Sequence, residues 1–368
     1  MRRIYSYHDN DHSTVIKLKM NTLLRKLVIV FTFWGSVGRT SSDQCVDVKK
    51  DAKDIVDSRF NELTVAEILT TRTPEQCMQI NMEIANINGG VPLIDDKYVP
   101  YKDSGSTYKD ILFALVTDET IVLAKYLGEF MGRKDPKLIT IDMILVKDMG
   151  HFISIYNKVQ GDGFEDDRKE QKDPFCNMLR VWAESNREPD GPPPAEQECK
   201  DVMMKMYDEQ PFWGTNRDVL ESILIKKSCS YSVAVLKVYE KRHPGDDIED
   251  DLYHVLYDDD LLFAYQCMAG HVKDRIKLFA KLLHDFRDRG DRYSVWILII
   301  ALNRGENIAK IDAAFKKDYG GESLSSFILK KTGDPTVIEI LAKLVDPNHK
   351  LSILAPSPPG PPGTVPPP

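Results

Sequence analysis

The 368-residue sequence lacks the short motifs that most often carry catalysis: there is no G-x-S-x-G, no H-E-x-x-H, no G-x-x-x-x-G-K-[ST], and no glycine fingerprint following a strand. Nucleophile elbows, zinc proteases, P-loop sites and dinucleotide sites each need one of these, because the spacing decides which groups meet the reacting atoms. The eight histidines are dispersed, and His151, His254, His271 and His284 read as surface or capping residues. Paired acids such as Asp250-Asp251 accompany no recognisable cleft. The chain therefore reads as a non-enzyme with no small-molecule substrate. C-x-x-C spacing is missing too, which argues against structural zinc. The six cysteines (Cys45, Cys77, Cys176, Cys199, Cys229, Cys267) are an even set. In a secreted chain they permit disulfides in fifteen pairings; buried free thiols on helices are the other reading. Alternating, strand-like stretches are scarce, and after the first forty residues no apolar run approaches the roughly twenty residues of a bilayer span.

Positive charge is in short supply except at the start. Residues 1–38 hold six basic and two acidic side chains, which leaves 43 basic and 55 acidic for the rest, a net of −12. So acidic a body repels nucleic acid, and it repels anionic lipid unless a cation lies between. Within the basic start, Lys17, Lys19, Arg25 and Lys26 precede the apolar run Leu27–Trp34, and the small residues Ser36 and Gly38 follow two apart. This is the layout of a secretory leader over residues 1–38, with Met20 as a second candidate start. A membrane anchor and an intracellular chain with a misassigned start are the alternatives.

Helical periodicity dominates what remains. Ile276, Phe279, Ala280, Leu282 and Leu283 fall on one stripe at the i, i+3, i+4, i+7 spacing. The apolar stretch Trp296–Leu302 resembles a strand in isolation, but its helical flanks make it a helix buried on most sides. Asn186–Pro194 is a break, since its three successive prolines lack amide donors. The Pro/Gly-rich tail from Pro356 reads as extended and solvated.

One local phrase recurs four times. Ala66–Thr73, Asp142–Asp148, Leu220–Ser228 and Leu298–Gly305 are each an apolar helix ending in a polar corner, with a second helix after it. Successive phrases lie roughly 75 to 80 residues apart, which is a repeat period. A single unit of this kind cannot cover all its apolar faces, so neighbours have to supply the missing core.

These phrases resemble the annexin family. Phe212-Trp213-Gly214-Thr215-Asn216 is similar to the family's third-repeat calcium loop, and Ile223–Ser228 to its I-L-x-x-R-S corner. Tyr239-Glu240-Lys241 with Asp246–Asp250 continues the third repeat, and Ile311–Tyr319 with Ile340–Leu344 matches the fourth. The first repeat keeps Ile68–Arg72, and the second is the most divergent. The resemblance implies an all-α fold of four repeats of about five helices each, wound into a slightly curved disc. The expected organisation is a leader over 1–38, a spacer over 39–45, repeats over 46–116 and 117–186, and a Pro-rich linker over 187–197. Further repeats follow over 198–272 and 273–346, with a tail over 347–368.

The resemblance further implies calcium-dependent phospholipid binding, with three loop carbonyls and a carboxylate about forty residues downstream holding each ion. In the third repeat the carbonyls fall on Gln210, Phe212 and Gly214, but the carboxylate column falls on His254 or Val255. Asp258, Asp259 and Asp260 lie just downstream, either as substitutes or as a solvated helix start. The fourth repeat has Asp288-Arg289-Gly290-Asp291 in the loop and Lys331 near the acid column. The second has Gly132-Arg133-Lys134-Asp135, with Glu170 or Gln171 near its column. The first has Arg59-Phe60-Asn61-Glu62, with Pro100 near its column. No repeat keeps both halves of the site, so calcium is an expected but eroded ligand. Phe212 and Trp213 are the candidate membrane contacts, since indole suits the lipid interface; a tryptophan packed over its own loop is the competing reading. The expected partner is a phospholipid membrane surface or a protein bound by a secreted scaffold. The expected location is extracellular, the alternative being the cytoplasmic face of membranes.

Overall fold

In the computed structural model the residues described are 47–94, 105–161, 163–164, 173–185, 187–207, 217–242, 248, 252, 256 and 258–351. The leader-like segment, Cys45 and the Pro/Gly-rich tail lie outside them. Among the described residues the regular structure is entirely helical. The helices are α1 (Val48–Asp57), α2 (Glu62–Leu69), α3 (Pro74–Ile87), α4 (Gly105–Val116), α5 (Glu119–Arg133), α6 (Pro136–Leu145), α7 (Met149–Gln160) and α8 (Pro174–Glu184). After the Pro-rich stretch come α9 (Glu196–Tyr207), α10 (Arg217–Glu221, continued by a π-helical turn over Ser222–Lys226) and α11 (Cys229–Arg242). Then follow α12 (Asp259–Asp285), α13 (Arg292–Leu302), α14 (Glu306–Asp318), α15 (Leu324–Leu329) and α16 (Pro335–Val345).

Their starts are written in the sequence. Asn61, Thr73, Asp118, Asp135, Asp148, Asp173, Asp258, Ser323 and Asp334 each accept a backbone N–H from the first turn of the helix they precede. Such a cap satisfies donors that have no partner inside the helix, and contributes about 1 kcal/mol. Thr73 and Gln76 form a reciprocal capping box, and Pro74, Pro136, Pro174 and Pro335 stand where a missing N–H costs nothing. Asp274, with φ −155° and ψ 87°, interrupts α12 and caps its second half through Lys277 N–H at 3.0 Å. Trp296–Leu302 lies within α13, a helix as its flanks require.

Two compact units divide the chain. One holds the described residues of 118–298; the other holds those of 47–117 and 299–351. The expected break at Asn186–Pro194 interrupts the helices but lies inside the first unit rather than between the two.

In the first unit, α6 is the most enclosed element: Leu138 to Leu145 are all buried. Burying each large aliphatic side chain contributes about 1.5–3 kcal/mol, so this helix is a main source of cohesion. Phe152, Tyr156 and Phe164 form a buried aromatic group, with Tyr156 and Phe164 edge to face at 5.5 Å. Trp296 is fully buried, and its indole N–H donates to the Leu283 carbonyl at 3.0 Å. His271 departs from the surface reading. Its Nε2 is sealed from solvent, and burial, with Arg275 and Arg187 nearby, lowers its pKa to about 4.

In the second unit, α1 packs on α3, and α15 on α16. Arg72 holds the buried Asp51 through two hydrogen bonds of 2.6 and 3.0 Å. Arg304 donates to the Leu115 carbonyl at 2.9 Å and reaches the Cys77 sulfur at 3.6 Å. Cys77, Cys176, Cys199 and Cys267 are buried free thiols, and Cys229 is a half-buried one.

One side chain opposes this economy. Asp142 on α6 is fully buried, and neither carboxylate oxygen has a hydrogen-bond partner among the described residues. Desolvation alone pushes its pKa well above the usual carboxylate range. A raised folded pKa means that the native chain holds this proton more tightly than the unfolded chain does. The associated stability is therefore complete below about pH 4 and is lost as pH rises through the folded pKa. Asp142→Asn should raise the melting temperature at high pH, and the advantage should shrink steadily as pH falls toward 4. Thermal denaturation of both proteins across that range tests this, and a pH-independent difference would contradict it.

Candidate functional site

The expected site residues belong to the corners joining the first two helices of each repeat, and these corners differ in how they are built. In the α1–α2 corner, Arg59 and Phe60 are both left-handed, at φ 55° and 59°. Phe60 N–H returns to the Ile55 carbonyl at 3.0 Å, and Asn61 caps α2 through Leu63 and Thr64 N–H. Arg59 is exposed. Behind the corner, the Glu62 carboxylate lies 3.5 Å from Thr336 Oγ1. Partial burial, followed by the Asp334 charge, raises the Glu62 pKa.

The α5–α6 corner is the tightest among the described residues. Lys134 is left-handed at φ 55°, and Asp135 N–H closes on the Phe130 carbonyl at 3.2 Å. The Asp135 carboxylate then caps α6 through Lys137 and Leu138 N–H at 3.1 and 3.2 Å. A lysine stands where a glycine would relieve the backbone, and Arg133 and Lys134 are both exposed.

The α12–α13 corner runs from Phe286 to Asp291. Arg289 donates from Nε and a terminal nitrogen to the two Asp291 oxygens, at 3.0 and 2.9 Å. Its guanidinium lies 4.6 Å from the centre of the Phe286 ring and 3.9 Å from the Asp135 carboxylate of the α5–α6 corner. The bond to Asp291 comes first among the causes that raise the Arg289 pKa. Lys331, near this repeat's expected acid column, holds its ammonium over the Phe327 ring at 5.0 Å.

The third-repeat loop, the best match to the calcium signature, is not among the described residues. Gln210, Phe212, Trp213 and Gly214 lie outside them, as do Pro100, Glu170, Gln171, His254 and Val255. Asp258 is an N-cap, accepting from Asp260 and Leu261 N–H at 3.1 and 2.9 Å. Among the described residues, no group of three or more His, Cys, Asp or Glu side chains is placed to hold a metal ion. No described helix is long and apolar enough to cross a membrane. Sequence reasoning placed Arg289 in the corner but missed its reach to Asp135. Those residues are more than 150 positions apart, and no periodic signal links them.

No family model matches the chain, and no curated protein matches it by sequence. Solved structures do. Annexin III is similar with a TM-score of 0.71 at 22% identity, covering 84% of this chain and 97% of that one. Chicken annexin V, in a complex with zinc, gives 0.70 at 21%, covering 83% and 97%. Calcium-bound alpha-14 giardin gives 0.68 at 15%, covering 81% and 99%. The fold is the divergent annexin fold that the repeated phrases imply.

The left-handed Lys134 supplies a test of the corner geometry. An L-residue pays roughly 1–2 kcal/mol in that region, and glycine does not. Lys134→Gly should therefore raise stability by about 1 kcal/mol in denaturant titration, after glycine's own entropy in the unfolded chain is deducted. A loss of stability would mean that the corner is not left-handed.

Proposed function

From an annexin fold, we propose that the protein attaches peripherally to phospholipid membrane surfaces through its helix-corner loops, with calcium contributing less than in typical annexins. The observation that carries this reading is the annexin fold itself, matched over more than four fifths of the chain. Calcium enters because structures of that fold, among them an annexin and alpha-14 giardin, have been solved with calcium bound.

A weakened calcium requirement is supported by the donors at the corners. Calcium takes six to eight oxygens, and a bidentate carboxylate does most of the charge compensation. Asp291 has both oxygens engaged by Arg289. Asp135 is committed to capping α6, and the fourth repeat's acid column carries the cationic Lys331. These donors do not fit the ion. In its place, exposed Arg59, Arg133 and Lys134 put positive charge at the corners of an otherwise acidic protein. Such charge attracts anionic headgroups at about 1 kcal/mol per side chain near the surface. Phe212 and Trp213 remain the proposed apolar contacts of the third corner. No step in this reading requires catalysis, and the leader-like start favours an extracellular site of action. The competing reading is an interaction scaffold that uses the same fold without lipid.

Co-sedimentation with phosphatidylserine-containing vesicles, in calcium and in chelator, separates the two. The expected result is pelleting in both conditions, weakening as salt rises. Pelleting in calcium alone would overturn the weakened requirement, and no pelleting in either condition would favour the scaffold.

A further inference from the structure

We propose that Arg59 and Lys134 are the primary headgroup contacts of their corners, each held on a strained backbone that leaves an unpaired cation for the phosphates of an anionic phospholipid surface. This rests on the membrane reading and names the side chains that carry it. Among the described residues, the non-glycine positions with positive φ are Arg59, Phe60 and Lys134, at 55°, 59° and 55°. All three stand at helix corners. Phe60 is half-buried, and the two that are exposed are both basic.

Left-handed backbone is unfavourable for an L-side chain and open to glycine. One compensation is electrostatic, since a cation at a helix C-terminus meets the negative end of the dipole. At a solvent-exposed end that gain is smaller than the strain. It does not need the left-handed residue either, because Arg133 supplies it from the last turn of α5, where it pairs with Glu129 at 3.8 Å. Nor are the two charges used internally. Arg59 and Lys134 make no side-chain hydrogen bond or ion pair with another described residue. The acids close to them in sequence are engaged elsewhere. Asp135 accepts from Lys137 and Leu138 N–H, and the Glu62 carboxylate lies 3.5 Å from Thr336 Oγ1. The backbone has nothing to offer a ligand at these points. Arg59 N–H closes on the Val56 carbonyl at 2.9 Å, and Lys134 N–H on the Met131 carbonyl at 3.1 Å. Only the charged side chains are left over. A strained, exposed and uncommitted residue is what a binding surface retains at the expense of stability. On an otherwise acidic protein, such a cation suits the phosphate of an anionic headgroup.

Melting temperature and binding to phosphatidylserine vesicles, both in chelator, are measured on the full chain. The proteins are the wild type, Arg59→Gly, Lys134→Gly, Lys134→Gln and Lys237→Gln. Lys237 is exposed in the middle of α11, away from its ends. Each glycine variant should melt about 2 °C above the wild type and yet bind vesicles about fivefold more weakly. Lys134→Gln should lose as much affinity without the gain in melting temperature, and Lys237→Gln should bind like the wild type. A wild type that does not bind overturns the membrane reading and this proposal together. A wild type that binds, with glycine variants that bind as tightly, overturns this proposal alone. So does an equal loss in Lys237→Gln, which would make overall charge the cause rather than the corners. Glycine variants that melt below the wild type would overturn it too, since no stability would then have been given up.

Discussion

Two helices, α6 and α13, have to be enclosed, and much of the architecture follows from that. In α6 the run Leu138–Leu145 is buried without interruption, and in α13 the run Val295–Ala301 is buried as well. No amphipathic stripe would suffice for such helices, because they have no polar side to turn to water. They become stable only when other helices cover every face. A repeated helical unit meets that need, since each copy brings outer helices to cover its own second helix and its neighbour's.

Enclosure also explains where polarity survives. Once the second helices are sealed, their ends must emerge through corners whose backbone groups cannot all be paired internally. Asn61 and Asp135 are engaged in capping at such points. The same corners are where a membrane-binding member of this fold would place its ligands. Structural capping and ion binding thus compete for the same short acidic side chains. At the α5–α6 corner Asp135 accepts from Lys137 and Leu138 N–H, and at the α12–α13 corner Asp291 pairs with Arg289.

Much of the fold was legible in advance. Apolar phrases at a fixed period, each followed by a polar corner, located α2, α6, α10 and α13 together with the helices after them. Proline and Asp/Ser/Thr starts then set many of the boundaries. The division into compact units was not legible. The triple proline at 192–194 looks like the strongest break, but proline reports only that a helix ends, and packing decides which helices belong together. Nor could the buried Asp142 be read, because an acid within an apolar helix looks the same whether it faces solvent or the core. At the corners, sequence columns named candidate ligand positions, many of which lie outside the described residues. They were silent on what the corner residues touch: Arg289 and Asp135 meet only in three dimensions.

The proposed reading makes the helix corners the surface presented to membranes, with calcium contributing less than in typical annexins. Hydrogen exchange on the full chain, with and without phosphatidylserine vesicles and in the presence of chelator, tests it most directly. The account predicts slowed exchange at amides of the α5–α6 and α12–α13 corners, residues 131–135 and 286–291, with the helix interiors unchanged. Vesicle binding that leaves those corners unprotected, or protects them only after calcium is added, would contradict it.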